Sequence, residues 1–307
     1  MGEGLNGQDQ QEPTQPQGSV NGQSAPNYRK TPMYMAINAP RYQRQQLIRE
    51  LEKQTGRTLL CYICGEKGEI NRNDALGIVE LLHNVQPGAS IDLMLHTFGG
   101  DVDAAEKLIN MLRAAVVPTA SLRVIVTDAA KSAGTLMALG ADEIVMSDTS
   151  ELGTIDPQLE LKDGKGNTIV HSVLSYLDAF DAIATELRNA PDDPVFKIQL
   201  ESFDPTVLRT FDAVRTRAKT LAENLLKRVG LNYTAIAAAL MDTKRFPSHS
   251  QMIGYETAKE IGLNVTYMPS EDATWQRYWE LYCHLRLAVI GKEKLFESAR
   301  ASLPLDI

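Results

Sequence analysis

With 307 residues, 43% hydrophobic and 23% charged, the chain has the apolar material for one large globular domain with a substantial core. A formal charge of −8 and a pI near 5.3 argue against a nucleic-acid or anionic-membrane partner, since binding phosphates needs a concentrated positive surface. Three cysteines, Cys61, Cys64 and Cys283, are too few for a disulfide framework at this size, and with no secretory leader in front of them a reducing cytoplasm is expected.

Residues 1–32 are rich in Gln, Gly, Asn, Ser and Pro and poor in apolar side chains. Such a composition cannot bury enough surface to offset the entropy of ordering, which predicts a disordered polar tail. No stretch approaches the ~20 apolar residues that a spanning helix needs, so no membrane span is expected. A helix is predicted over Tyr42–Gln54, and Thr58–Cys64 reads as a buried strand. Cys61 and Cys64 stand three apart on that strand and face opposite ways, with no second Cys or His pair at ligand spacing. They read as core residues, and neither a metal nor a cofactor is expected.

Asn71-Arg72-Asn73-Asp74 opens a helix predicted over Asn73–His83. The strand Ile91–His96 then turns at Gly99-Gly100 into a helix with Val102, Ala105, Leu108, Ile109 and Leu112 at helical spacing. Paired glycines permit unusual backbone angles and let consecutive amides point at a developing negative charge, although a tight turn also wants them. A second unit of the same kind follows. Its strand, Leu122–Val126, leads through Lys131-Ser132-Ala133-Gly134-Thr135 into the apolar run Leu136–Leu139. A strand-to-helix corner lifts a side chain out of the sheet and aims the first free helix amides at the same point. Ser132 is therefore placed as a nucleophile or as a plain N-cap.

Glu143–Met146 is a third core strand, and helices are predicted over Val170–Leu187 and Pro205–Val229 with a loop at Asp192-Asp193-Pro194 between them. The second helix carries Leu208, Phe211, Val214, Ala218, Leu221 and Leu225 on one stripe, which suits either a subunit contact or its own core. The polar loop Lys244–Ile253 holds His249 and precedes a helix over Tyr255–Ile261 that Gly262 stops. Beyond it, Trp275–Arg300 offers aromatic surface, with Tyr278, Trp279 and Tyr282, that suits either partner contacts or packing within its own subunit.

Four motifs, His96-Thr97-Phe98-Gly99-Gly100, Ala130–Thr135, Ala141–Met146 and Leu152–Leu159, resemble the serine dehydrogenase proteinase family. That family is grouped with signal peptide peptidase A and the Clp protease proteolytic subunit, in the clan that also holds the crotonases. The likeness runs from about Arg41 to Pro269. It implies an α/β fold, a crotonase/Clp-protease-like ββα spiral with added C-terminal helices. The implied organisation is a tail over 1–32, a peptidase domain over 33–270 and a helical extension over 271–307. It also implies a homo-oligomeric serine peptidase that hydrolyses unfolded or extended peptides through an acyl-enzyme on Ser132, without ATP of its own. Phe98 departs from the His-Thr-Pro-Gly-Gly of relatives and is expected to reshape the substrate groove while leaving both glycines.

In the Clp-type enzymes the triad histidine falls where this chain has Asp156 or Pro157, and the acidic member falls at Ser250, one residue after His249. No histidine stands at the first position. Three arrangements follow for the base that Ser132 needs. His249 takes the proton with Asp156 orienting it, the two roles exchanged along the chain as triad geometry permits. Alternatively a lysine serves, as in signal peptide peptidase A, with Lys162, Lys165 and the adjacent Lys131 as candidates. In the third the chemistry has decayed and the fold is a binding scaffold. The oxyanion donors are expected to be the backbone N–H groups of Gly100 and Ala133. An acyl-CoA enzyme of the crotonase kind would use the same two amides for an enolate and would not need Ser132.

Overall fold

A computed structural model describes residues 30–162 and 166–305. Residues 1–29 of the tail expected over 1–32, and the candidate base Lys165, lie outside the described residues. The chain divides into two compact units, up to Ala39 and from Pro40 onward, and the sheet, the core and the site lie in the second.

The elements run in chain order as α1 (Pro32–Thr55), β1 (Thr58–Cys64), α2 (Asp74–Leu82), β2 (Ile91–His96), α3 (Val102–Ala114) and β3 (Leu122–Ile125). Next come β4 (Ala129–Ala130), α4 (Ala133–Leu139), β5 (Glu143–Met146), β6 (Glu151–Leu152), and the hairpin β7 (Gln158–Lys162) and β8 (Thr168–Ser172). The helices α5 (Val173–Asn189), α6 (Pro194–Glu201), α7 (Pro205–Arg228), α8 (Tyr233–Leu240) and α9 (Tyr255–Ile261) follow. The chain closes with β9 (Val265–Tyr267), α10 (Ala273–Ala288), β10 (Lys294–Ser298) and β11 (Ser302–Leu305).

Seven strands form the central sheet in the order β11-β10-β1-β2-β3-β5-β9. From β1 to β9 the neighbours are parallel, while β10 and β11 join antiparallel. Register aligns Leu60, Leu93, Val124 and Ile144 in one row and Cys61, Met94, Ile125 and Val145 in the next. The first row packs under α3, α4, α7 and α8, and the second under Leu47, Ile48 and Leu51 of α1 with Trp275, Tyr278 and Leu285 of α10. With both faces covered, the strands read as continuous apolar runs rather than alternating ones. This is the α/β architecture the resemblance implied.

A second, smaller layer sets up the site. Thr97 bridges Ala130, Ala130 pairs with Leu152, and Leu152 bridges Ile253. Successive turns of the chain thus give a long strand to the main sheet, a short rung to this lateral row, and then a helix or loop.

Several elements differ from the sequence expectation. The helix predicted from Tyr42 begins at Pro32 and runs through Pro40, because a proline removes one helical hydrogen bond without necessarily ending the helix. The helix predicted from Val170 starts at Val173, since residues 168–172 pair with β7. Asp192-Asp193-Pro194 is less a loop than the start of α6, with Asp193 capping Val195 N–H and Pro194 in the first turn. Among its described residues, the helical extension expected over 271–307 holds one helix, α10, and then the strands β10 and β11. Lys294–Ser298 is wholly buried against β1, where Phe296 stacks on Tyr62 at 4.6 Å.

Candidate active site

The corner between β2 and α3 is built on two glycines with φ of +130° (Gly99) and +137° (Gly100), angles that other residues avoid. A Cβ on Gly99 would stand 2.9 Å from the Ser132 Cβ, and one on Gly100 would stand 2.4 Å from the Ile70 carbonyl oxygen. Glycine is what lets this corner close against Ser132. Gly99 N–H donates to Thr97 Oγ1 at 3.1 Å, Ile70 N–H to the Gly99 carbonyl at 2.8 Å and Asp101 N–H to the Ile70 carbonyl at 2.8 Å. Among the described residues the N–H of Gly100 makes no hydrogen bond.

Ser132 sits between β4 and α4 at φ 51° and ψ −115°. Among the described residues it is the only non-glycine with positive φ. Such backbone costs on the order of 1–3 kcal/mol and persists only where the surroundings over-determine it. Here they do. Lys131 N–H donates to the Thr97 carbonyl at 3.0 Å, Gly134 N–H to the Lys131 carbonyl at 2.7 Å and Leu136 N–H to the Ser132 carbonyl at 3.1 Å. The Thr135 hydroxyl donates to the Ala130 carbonyl at 2.8 Å and accepts Gly153 N–H at 2.9 Å. The Ser132 side chain makes no capping hydrogen bond, so the plain N-cap reading does not hold. Ala133 N–H, the first of α4, has no partner among the described residues.

The structure brings His249 and Asp156 together although 93 positions separate them in the sequence. His249 Nδ1 lies 3.5 Å from Asp156 Oδ2. At that distance Nδ1 has no formed hydrogen bond, and contacts of this kind commonly tighten only once substrate is bound. The other carboxylate oxygen of Asp156 is already fixed. Oδ1 accepts the Ser172 hydroxyl at 2.8 Å and Leu174 N–H at 3.4 Å. Ser172 also caps α5 by accepting Ser175 N–H. Sequence reasoning missed Ser172, and the signal was its N-cap position, hidden by starting the helix too early.

Ser132, His249, Phe98, Gly99 and Gly100 line one cleft of about 760 Å³, walled opposite by Leu159 of β7 and by Val214 and Arg217 of α7. Asp156 faces the adjoining pocket from behind His249. Glu66, Glu69, Asp101 and Asp103 also line the cleft, against Lys67 and Arg217. Arg217 is held by Asp103 at 2.7 Å and by Glu106. Phe98 is half exposed at 51%, and its ring packs edge-on to His96 at 5.4 Å between centroids.

The remaining candidates lie elsewhere. Lys162 points to the exposed face of β7 and is absent from the cleft lining. Lys131 reaches the Ser250 carbonyl at 2.8 Å and Glu151 Oε2 at 3.0 Å. Ser250, where the Clp-type acid would fall, contributes that carbonyl. His96 is fully buried beneath the glycine corner, where burial and then the nearby Arg286 lower its pKa to about 4 despite the opposing pull of Asp128. Its Nδ1 meets the Tyr282 hydroxyl at 3.2 Å and Ala129 N–H at 3.4 Å. Cys61 and Cys64 are both buried in β1, and burial pushes the Cys64 thiol up to about 11. Among the described residues no group of three or more His, Cys, Asp or Glu is placed to hold a metal ion, and no helix is long and apolar enough to cross a membrane.

Residues 31–174 match the family model of the ClpP-like SDH-type serine proteinases. The uncharacterized protein MJ0137 of Methanocaldococcus jannaschii is 29% identical over 259 residues, 78% of this chain and 81% of the relative. A second uncharacterized protein of that organism, MJ1495, is 31% identical over 126 residues, 38% of this chain and 42% of its own. Among solved structures, the chain is similar to the 1510-N membrane-bound stomatin-specific protease, at TM-score 0.45 and 16% identity over 73% of this chain and 84% of that one. A second mutant form of that protease, holding a substrate peptide, gives TM-score 0.42 and 15% identity over 74% and 98%. The match to the ClpP-like SDH-type serine proteinase family thus spans the part of the chain that holds the glycine corner and Ser132.

Proposed function

We propose that this protein is a serine peptidase in which Ser132 attacks the scissile carbonyl of an extended peptide. The observation that carries the reading is the strained backbone of Ser132, held out of helical geometry at a strand-to-helix corner against Gly99. Structures keep such strain where it serves chemistry, because any relaxed alternative would be more stable. His249 takes the Ser132 proton, and Asp156, fixed by Ser172 and Leu174, orients the imidazole through Nδ1. The tetrahedral oxyanion is received by the unengaged N–H groups of Gly100 and Ala133. Each such donor is typically worth about 3 kcal/mol in the transition state.

His249 then returns its proton to the leaving amine, giving an acyl-enzyme that water hydrolyses by the same path in reverse. The atoms balance with peptide and water alone, so no nucleotide enters the reaction. The cleft between the glycine corner and β7 suits an extended chain, whose backbone can pair with a strand edge. Free thiols at Cys61, Cys64 and Cys283 fit a reducing, cytoplasmic setting. Self-association is proposed on exposed apolar residues such as Leu287 and Ile290 at the end of α10.

Labelling with a fluorophosphonate serine probe tests the nucleophile. The wild type should label and Ser132→Ala should not. Equal labelling of the two would place the reactive serine elsewhere.

A further inference from the structure

Lys131 precedes the nucleophile, and its side chain runs away from the cleft. With 12% of the side chain exposed, Nζ lies 3.0 Å from Glu151 Oε2 and donates to the Ser250 carbonyl at 2.8 Å. Ser250 is the residue after His249. The backbone of Lys131 is also tied, its N–H donating to the Thr97 carbonyl at 3.0 Å and its own carbonyl accepting Gly134 N–H at 2.7 Å. One residue therefore touches the glycine corner, the nucleophile turn, β6 and the loop that carries His249.

That loop has little else to hold it. Gln251 N–H donates to the Ser248 carbonyl and Ser250 N–H to Ser248 Oγ, both inside the loop. Among the described residues, the bond from Lys131 is the only hydrogen bond that reaches residues 248–251 from another element. The next anchor, the bridge of Ile253 to Leu152, comes four residues after His249. A histidine base must be held to within a fraction of an ångström, and a displacement of ~1 Å can lower the rate about 100-fold.

We infer that Lys131 is a positioning residue for the base: with Glu151 it ties the Ser250 carbonyl to the nucleophile turn and so fixes His249 against Ser132. The assignment rests on the triad proposed above and gives a new role to a lysine that sequence alone offers as a base. An amine whose donors are directed to Ser250 and Glu151 is turned away from the reacting atoms. Lysine suits the task because its long, largely buried stem carries a head that meets both the Ser250 carbonyl and the Glu151 carboxylate.

The test compares Lys131→Met, Lys131→Arg and Glu151→Gln in the full chain, with a fluorogenic unfolded casein as substrate. Thermal melting confirms that each variant folds. Lys131→Met should lower kcat by about 100-fold with KM little changed, and amide hydrogen exchange at Ser250 and Gln251 should accelerate. Lys131→Arg should restore most of the rate with the wild-type pH profile, because a guanidinium can donate to the same oxygens. It cannot act as a base near neutral pH. Glu151→Gln should give an intermediate loss of kcat. A Lys131→Met variant with wild-type kcat, or with unchanged exchange at Ser250 and Gln251, would overturn the inference. So would a Lys131→Arg variant as inactive as the Met variant, which would make Lys131 the base. Should the wild type fail to label with fluorophosphonate, the peptidase reading falls, while the exchange measurement still decides whether Lys131 holds the loop.

Discussion

At the scale of single residues, the site turns on a serine in a conformation that serine disfavours. Glycine at position 132 would relieve the backbone, whereas alanine would keep the strain and remove only the hydroxyl. Ser132→Gly should therefore be more stable than Ser132→Ala by about 1 kcal/mol, read from urea midpoints, with both inactive. Equal midpoints would mean that the backbone relaxes freely and stores nothing. The assignment of the base is tested separately. His249→Ala should reduce turnover by about 10³-fold or more, and Asp156→Asn should be somewhat milder, as single triad members behave. A silent His249→Ala would remove it from the mechanism. Ser132, Gly99 and Gly100 were legible in the sequence because corner chemistry is local and leaves its mark within five residues. The pairing of His249 with Asp156 was legible only through clan resemblance, since nothing local says that two loops so far apart in the chain will meet. Ser172 and the reach of Lys131 were not legible, because each depends on where a neighbouring loop comes to rest.

At the scale of elements, β2 ends in a buried histidine whose surroundings favour the neutral form. Burial and Arg286 depress His96 to about 4, with Asp128 pulling the other way and Tyr282 against Nδ1. In the unfolded chain the same imidazole titrates near 6.5. Between those values the unfolded state binds more protons, so stability rises with pH there. The contribution of His96 is whole above about pH 6.5 and is lost as pH falls toward about 4. The thermal midpoint should accordingly drop between pH 7 and pH 5, and His96→Gln, neutral throughout, should show a smaller drop. An unchanged pH slope in that variant would show that His96 does not carry the effect. The parallel strands and α9 could be read from the sequence, since their apolar runs and glycine stop are local signals. The strands β10 and β11 could not. Lys294 and Glu297 are charged residues that sequence assigns to a surface, yet both are fully buried, paired with Asp74 at 2.7 Å and with Arg44 at 2.7 Å. A buried charge is legible only when its partner is known to arrive.

At the scale of the whole molecule, the apolar stripe of α7 is used within its own chain, with Ala218, Leu221, Ala222 and Leu225 in the main core and Phe211 against α5. The sequence left that choice open because a stripe says that a helix is covered and not by what. Any assembly must then draw on other surfaces, such as Leu76 and Val79 of α2 or Leu287 and Ile290 near the end of α10. Light scattering should give a mass that is a multiple of 33.9 kDa, and a monomer mass across micromolar concentrations would exclude self-association. The lateral row from Thr97 through Ala130 and Leu152 to Ile253 bears on ancestry. It works as a rack of four adjacent sockets, in which the loops after Leu152 and before Ile253 are next-door neighbours. A histidine in one and an acid in the other can trade sockets while the rack stays still. Two catalytic orders along the chain, the Clp-type order and the one proposed here, would thus lie a few substitutions apart on one scaffold, with the nucleophile and its amides untouched by the exchange.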